Sequence, residues 1–188
     1  RERLAHALGA HPDELCFTSC GTEADNMALI GVWRSRRATG RPAVVTTPIE
    51  HKAVLAAAHE IAREGGEERT LVMTSDGLIE EGSFDRLVRD DAAVCSVMWV
   101  NNEIGVIQPV PALADRAHAH GVVFHTDAVQ AFGKVDVDAR TTSFDMLSIS
   151  GHKIGAPKGI GALYIRRGTA LEPLMFGGAQ DRGRRPGT

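Results

Sequence analysis

The sequence has little cysteine and no arrangement of cysteines typical of a metal site. Cys16, Cys20 and Cys95 are an odd number without CxxC spacing, so neither a disulfide framework nor a cysteine-based zinc site is expected. His118 and His120 lie two residues apart in a predicted helix. Such residues point to different helix faces, so they are not a metal-binding pair, and we predict no metal.

Long apolar runs and an excess of basic charge are also missing. No segment approaches membrane-spanning length, and no signal peptide opens the chain. The net charge is −3 and the sequence pI is about 6.3, which gives no reason to expect nucleic acid. We therefore expect a cytoplasmic protein without membrane or nucleic-acid partners. Because the chain starts at Arg1 and stops at Thr188 in a loop-like segment, we expect it to be a piece, incomplete at both ends.

Short apolar segments alternate with segments of helical periodicity, at intervals of about 20–30 residues. The predicted strands are 14–18, 43–47, 69–73, 92–100, 122–126, 146–149 and 162–165. Helices are predicted at 1–9, 22–37, 51–64, from 83 and at 111–120. This alternation is typical of an α/β domain with a mainly parallel central sheet. In such sheets ligands bind beyond the carboxyl ends of the strands.

The loop between the last two predicted strands contains two of only four lysines among the 21 lysine and arginine residues. It begins Ser150-Gly151-His152-Lys153. We expect Lys153 to lie off the surface, where desolvation lowers a lysine pKa and permits a Schiff base with an aldehyde cofactor. Taken alone, a Gly-His-Lys sequence more often places a solvated lysine beside a tight turn.

Two further strand ends carry candidate ligand groups. Gly21 and Thr22 follow the first strand and open a helix, which is suited to binding phosphate, although simple N-capping explains them equally well. His51 opens the next helix, where the helix dipole disfavours the imidazolium. A neutral ring is then available for stacking or proton transfer, but a plain first-turn histidine is more common.

Polar residues also follow the two central strands. Asn102 follows 92–100 and can bind a ligand or close a turn. Asp127 follows 122–126, with Gln130 three residues later, and a carboxylate there can pair with a cationic ligand nitrogen or cap a helix. Together with Lys153, these groups match pyridoxal phosphate better than a nucleotide.

Six segments resemble the NifS-like class of cysteine desulfurases, which are pyridoxal phosphate enzymes related to class-V aminotransferases. They are residues 18–26, 50–54, 100–105, 125–130, 150–153 and 177–188. The resemblance runs through the whole chain in order. It implies that residues 1–188 are the large domain of a fold-type-I transferase, with helices on both faces of the sheet. It also implies a homodimer and a C-terminal small domain that is absent from the chain.

The resemblance further implies a role for each candidate residue. Lys153 would bind the cofactor covalently, and His51 would stack on its ring and shuttle protons. Asp127 would pair with the ring nitrogen, Gln130 would bond the phenolic oxygen, and Asn102 would lie beside that oxygen. The residues implied at the phosphate are Gly21, Thr22, Ser150, His152 and, from the other subunit, Thr188.

The implied reaction removes sulfur from L-cysteine and yields L-alanine and an enzyme persulfide. The sulfur then passes to an acceptor or scaffold protein for iron–sulfur clusters or tRNA thiolation. In this family the nucleophilic cysteine and the substrate-binding arginine belong to a C-terminal region outside the chain, so we expect the piece alone to be inactive in sulfur transfer. The alternatives are a selenocysteine lyase, a small-amino-acid aminotransferase, or a non-catalytic phosphate- or nucleotide-binding module.

Overall fold

A seven-stranded sheet runs through the computed structural model, which describes residues 1–187. Its strands are β1 (Leu15–Thr18), β2 (Ala43–Thr46), β3 (Glu67–Thr70), β4 (Ala92–Ser96), β5 (Val123–Asp127), β6 (Met146–Ser150) and β7 (Gly161–Ile165). Their order in the sheet is β1-β7-β6-β5-β4-β2-β3. The neighbours from β3 to β6 are parallel, whereas β7 runs antiparallel to both β6 and β1. The predicted mainly parallel sheet is therefore confirmed.

Helices cover both faces of this sheet, as predicted. They are α1 (Glu2–Leu8), α2 (Gly21–Arg37), α3 (Lys52–Arg63), α4 (Glu81–Leu87) and α5 (Val110–Ala119). Short 3₁₀ turns lie at Pro12–Glu14, Gly151–Ile154 and Gln180–Gly183. Since successive strand side chains point to opposite faces, β4 gives Val94 to the core under α2 and α3, and Cys95 to the core under α1, α4 and α5.

Two predicted strands have different bounds in the structure. The run 92–100 is buried through residue 99, but β4 ends at Ser96. Beyond that point Val97 N–H and Trp99 N–H still donate to carbonyls of β5, so the run continues beside the sheet as irregular backbone. The strand predicted at 69–73 lies at Glu67–Thr70, and its Arg69 side chain is buried in ion pairs with Glu67 and Asp91.

The parallel strands β2, β4, β5 and β6 all end at one edge of the sheet. The amino end of α2 and the segments that follow these strands meet there. Over residues 1–187, no helix combines the length and the apolar character needed to cross a membrane.

Candidate active site

A cavity of about 220 Å³ opens at the carboxyl edge of the sheet. It is lined by Cys20, Gly21, Thr22, Asp25, His51, Asn102, Asp127, Val129, Ser150, His152 and Lys153. These residues come from the start of α2 and the residue before it, from the last residues of β5 and β6, and from the segments that follow β2, β4, β5 and β6. The structure thus brings together all of the predicted site residues except Gln130 and Thr188.

The turn between β1 and α2 forms one wall of the cavity. Gly21 is required there, because a Cβ atom at this position would lie 2.9 Å from Val129 Cγ2 and 3.4 Å from Ser150 Cβ. Among the described residues, no side chain caps the amino end of α2. Its first backbone N–H groups are therefore free to bind an anion such as a phosphate.

The His51 ring is held by the start of α3. Its Nδ1 accepts a hydrogen bond of 3.1 Å from Ala53 N–H, so His51 is the N-cap of this helix. A neutral imidazole that accepts at Nδ1 carries its proton at Nε2. The ring can therefore offer an Nε2–H donor to a ligand in the cavity.

Asp127 ends β5 and is buried with 3% of its surface exposed. Its Oδ1 accepts a hydrogen bond of 2.8 Å from Val129 N–H. Burial raises the pKa of Asp127, while that N–H group and the nearby His51 act in the opposite direction. A cationic group in the cavity would stabilise the ionised form of this carboxyl.

The sequence analysis missed a second carboxyl group, that of Asp25 on α2. It is 1% exposed, and its Oδ1 has no hydrogen-bond partner within residues 1–187. Burial, reinforced by the charge of Asp127, raises its pKa well above the ordinary value. The sequence held a signal, since Asp25 is a lone charged residue between Ala24 and Met27 on the buried side of the helix.

Under α2, Asp25 faces a row of buried polar side chains on the sheet. The two ring nitrogens of His125 hydrogen-bond with Ser96 Oγ (2.8 Å) and Ser148 Oγ (2.9 Å). Burial lowers the pKa of His125 to about 3, so this ring is neutral at ordinary pH. His125 Nε2 lies 3.8 Å from Asp25 Oδ1, which is too far for a hydrogen bond.

The Lys153 loop corrects one expectation. Lys153 lines the cavity, but it is exposed rather than off the surface. The reason is that the 3₁₀ turn Gly151–Ile154 lies beyond the end of β6, where little of the chain covers it. Within this loop, Ser150 Oγ and His152 Nδ1 are hydrogen-bonded at 2.9 Å, which holds both side chains at the cavity.

Two predicted residues are not placed in the cavity. Gln130 is half-buried and accepts a hydrogen bond of 2.6 Å from Lys134 Nζ. The turn fixed by Asp127 and the Val129 N–H group presents Val129 to the cavity and leaves Gln130 outside the lining. Thr188 lies outside the described residues, so its predicted role stays a prediction.

A second cavity of about 520 Å³ adjoins the first one and shares His51 and Asn102 with it. Its lining consists of Pro48, Ile49, Glu50, His51, Lys52, Leu55, Asn101, Asn102, Glu103 and Ile104. The segments after β2 and β4 therefore meet between the two cavities.

The profile of one known family, described as Aminotransferase class-V, matches residues 1–183. The chain belongs to the class-V aminotransferase family. The alternative of a phosphate- or nucleotide-binding module has no support in this match.

Relatives within the family agree with the resemblance seen in the sequence. The chain is 46% identical to "Cysteine desulfurase NifS" of Azotobacter vinelandii, over all of this chain and 46% of that protein. DndA from Streptomyces lividans is a solved structure with a TM-score of 0.92 and 47% identity; the match covers all of this chain and 54% of DndA. "SspA in complex with cysteine" has a TM-score of 0.93 and 39% identity, over all of this chain and 54% of that one.

Both the predicted likeness to cysteine desulfurases and the predicted fold are confirmed by these class-V aminotransferase relatives. The chain spans about half the length of the curated relatives that it matches. What the complete protein does is therefore argued separately below.

Proposed function

We propose that this chain is the cofactor-binding part of a pyridoxal phosphate-dependent cysteine desulfurase, which converts L-cysteine to L-alanine and retains the sulfur. The observation that carries the proposal is the convergence of Lys153, Asp127 and His51 with an uncapped helix start in one cavity. Likeness to cysteine desulfurases over the whole length of the chain supports it.

The cavity lining fits this cofactor in two respects. At one end, the Gly21 turn leaves room that a Cβ atom would fill, and the amino end of α2 supplies N–H donors suited to phosphate. In addition, the buried Asp127 has one oxygen bonded to Val129 N–H, and the second is free to pair with a ring N–H. When bound, pyridoxal phosphate supplies an electron sink for a carbanion at the substrate α-carbon.

Each of the eight predicted site residues in the lining then has a proposed task. Lys153 Nζ would hold the cofactor covalently, and Asp127 would pair with its ring nitrogen. His51 would stack on the ring, and its Nε2 would give or take a proton beside the substrate. Asn102 would stand next to the substrate. Gly21, Thr22, Ser150 and His152 would hold the phosphate.

Two of the proposed roles need more than the lining. Gln130 lies outside the lining, and its Oε1 is bonded to Lys134 Nζ, so its side chain must turn towards the cavity if its Nε2 is to donate to the phenolic oxygen. Thr188 is proposed to reach the phosphate of the partner subunit of a homodimer. Residues 1–188 would then be the large domain of a two-domain protein, and an acceptor or scaffold protein would receive the sulfur.

The test is to reduce the protein with borohydride in the presence of pyridoxal phosphate and to map the labelled peptide. We expect the label on Lys153 and its loss in Lys153→Ala. Lys158→Ala is the matched control, since Lys158 is an exposed lysine of the same loop and should leave the label in place. A label on Lys158 or Lys52 would show that the assignment is wrong.

A further inference from the structure

Glu50 links the two segments that carry His51 and Asn102. It precedes His51 in the segment after β2, and it is 6% exposed. Its Oε1 accepts hydrogen bonds from Thr47 Oγ (2.7 Å) and from Met98 N–H (2.8 Å). One carboxyl oxygen thus joins the end of β2 to the backbone that follows β4.

A second hydrogen-bonded connection starts from a side chain in the segment after β4 and reaches the segment after β2. Asn101 Nδ2 donates to the Ile49 carbonyl at 2.8 Å. The Oδ1 of the same side chain accepts from Glu103 N–H (2.8 Å) and Ile104 N–H (2.9 Å). These bonds fix the turn in which Asn102 lies. Together with the hydrogen bonds of Glu50, they hold the segments after β2 and β4 next to each other.

The surroundings of Glu50 favour its neutral form. Burial raises its pKa to about 8. Its Oε2 is buried without a hydrogen-bond partner in the described part of the chain, and an ionised oxygen in such a place is costly. The titratable groups that interact with Glu50 are Asp25 of α2, Cys95 of β4 and Asp127 of β5. His51 and Lys52 follow it directly in the chain.

We propose that Glu50 is a positioning residue, which holds the segment of His51 against the segment of Asn102 and so sets both side chains at the edge of the cavity. It acts as a neutral carboxyl group, which keeps both hydrogen bonds at Oε1 without a buried charge. This inference rests on the proposed function, which places His51 and Asn102 beside the cofactor and the substrate.

We expect the hydrogen bonds of Glu50 to affect the orientation of His51 more than they affect the stability of the sheet. Its ring is fixed at one atom, Nδ1, by Ala53 N–H, so a shift of the backbone at residues 50 and 51 turns the ring. Loss of Glu50 should therefore appear first in the signals of His51 and in cofactor affinity.

The experiment compares Glu50→Gln, Glu50→Ala and Glu103→Gln with the unmodified protein. Gln keeps the accepting oxygen and cannot ionise, whereas Ala removes the link. Glu103 is the control because it is an exposed carboxyl group of the neighbouring segment. Each variant is purified intact and without cofactor. The ring signals of His51 are recorded by NMR, assigned with His51→Gln, and pyridoxal phosphate affinity is measured at about pH 7 and about pH 9.

We expect Glu50→Ala to shift the His51 signals and to weaken the affinity about tenfold, as the loss of two hydrogen bonds implies. Glu50→Gln should match the unmodified protein at about pH 7. At about pH 9 the unmodified protein should lose affinity through ionisation of Glu50, and Glu50→Gln should lose less. Glu103→Gln should follow the unmodified protein at both pH values.

Several results would overturn the proposal. Unchanged His51 signals and affinity in a folded Glu50→Ala would show that the link positions nothing. A loss in Glu50→Gln as large as that in Glu50→Ala would show that the charged form is needed. If Glu50→Ala does not fold, the comparison of Glu50→Gln across pH decides. Should the unmodified protein bind no pyridoxal phosphate, the proposed function fails, while the His51 signals still test Glu50.

Discussion

Asp25 and Asp127 are two buried carboxyl groups on the lining of one cavity, and the charge of Asp127 raises the pKa of Asp25. Two carboxyl groups in such an arrangement cannot both ionise cheaply. Asp127 accepts a backbone N–H bond, whereas Asp25 has an oxygen without a partner among the described residues. Burial therefore favours the protonated form of Asp25, whereas the Val129 N–H bond favours the ionised form of Asp127.

The first prediction concerns the pH dependence of stability. Because the pKa of Asp25 is raised in the folded state, its contribution is fully present below the ordinary value of 3.8 and is lost as the pH rises towards the folded-state pKa. In Asp25→Asn the free energy of unfolding should fall less steeply with rising pH. Chemical denaturation from about pH 4 to about pH 8 measures this slope.

Asp138→Asn is the control, because the pKa of Asp138 is shifted in the opposite direction to that of Asp25. Arg140 lowers the pKa of Asp138 to about 2, so the contribution of Asp138 is present above 3.8 and is lost as the pH falls towards 2. This variant should therefore lower stability by a nearly constant amount from about pH 4 to about pH 8, and the difference from the unmodified protein should shrink only as the pH falls towards 2. An unchanged slope in Asp25→Asn would mean that Asp25 is ionised in the folded protein.

The second prediction concerns the Gly21 turn. Gly21→Ala places a methyl group 2.9 Å from Val129 Cγ2, and relief of such overpacking costs about 1–3 kcal/mol. Cofactor affinity should fall, because the turn must move. Since the nearest atom belongs to Val129, the double variant Gly21→Ala with Val129→Ala should regain part of the affinity. Wild-type affinity in Gly21→Ala would refute the close fit.

The third prediction concerns the charge of Asp127. Asp127→Asn should fold, but it should bind pyridoxal phosphate more weakly by about 1.5–3 kcal/mol, the worth of a hydrogen bond to a charged group. Alanine formation from cysteine, measured in the complete protein, should slow as well. Asp136→Asn, which changes an exposed aspartate shortly after β5, should alter neither quantity. Equal effects of the two substitutions would remove the special role of Asp127.

The fourth prediction concerns the three cysteines of the 188-residue chain. Burial raises the pKa of Cys16 to about 12 and raises that of Cys95 as well, which keeps both thiols inert. Cys20 lines the cavity within the turn proposed to bind phosphate, away from the aldehyde end. The chain by itself should therefore form no alanine catalytically from cysteine, with a reductant present. Multiple turnovers that disappear in Cys20→Ser would make Cys20 the nucleophile.

The sequence predicted well those features that depend on short stretches of the chain. Strand ends such as Asp127 follow a recognisable apolar run, and parallel strands bring their ends to one edge, so the cavity lining could be anticipated. Asp25 and Glu50 were missed because their meaning comes from packing. Each lies in an ordinary helix or turn pattern, and only the assembled sheet buries it.

The misplaced details have similar causes. Lys153 was expected off the surface, but the burial of a loop residue depends on what packs over it, which the loop sequence does not contain. The apolar run 92–100 predicted a long strand, and its burial was correct. Its ladder ends at Ser96, because periodicity shows which side chains are buried and not where backbone pairing stops.

The place of β1 in the sheet has a consequence for the order of folding. Within residues 1–187, β1 pairs only with β7, and Leu15 lies opposite Tyr164. β1 therefore cannot pair until β7, the last of these strands in the chain, has formed. Contacts between residues so far apart in sequence form slowly. During synthesis on the ribosome, we therefore expect the Gly21 turn to take its final position in the cavity wall only after β7 has emerged.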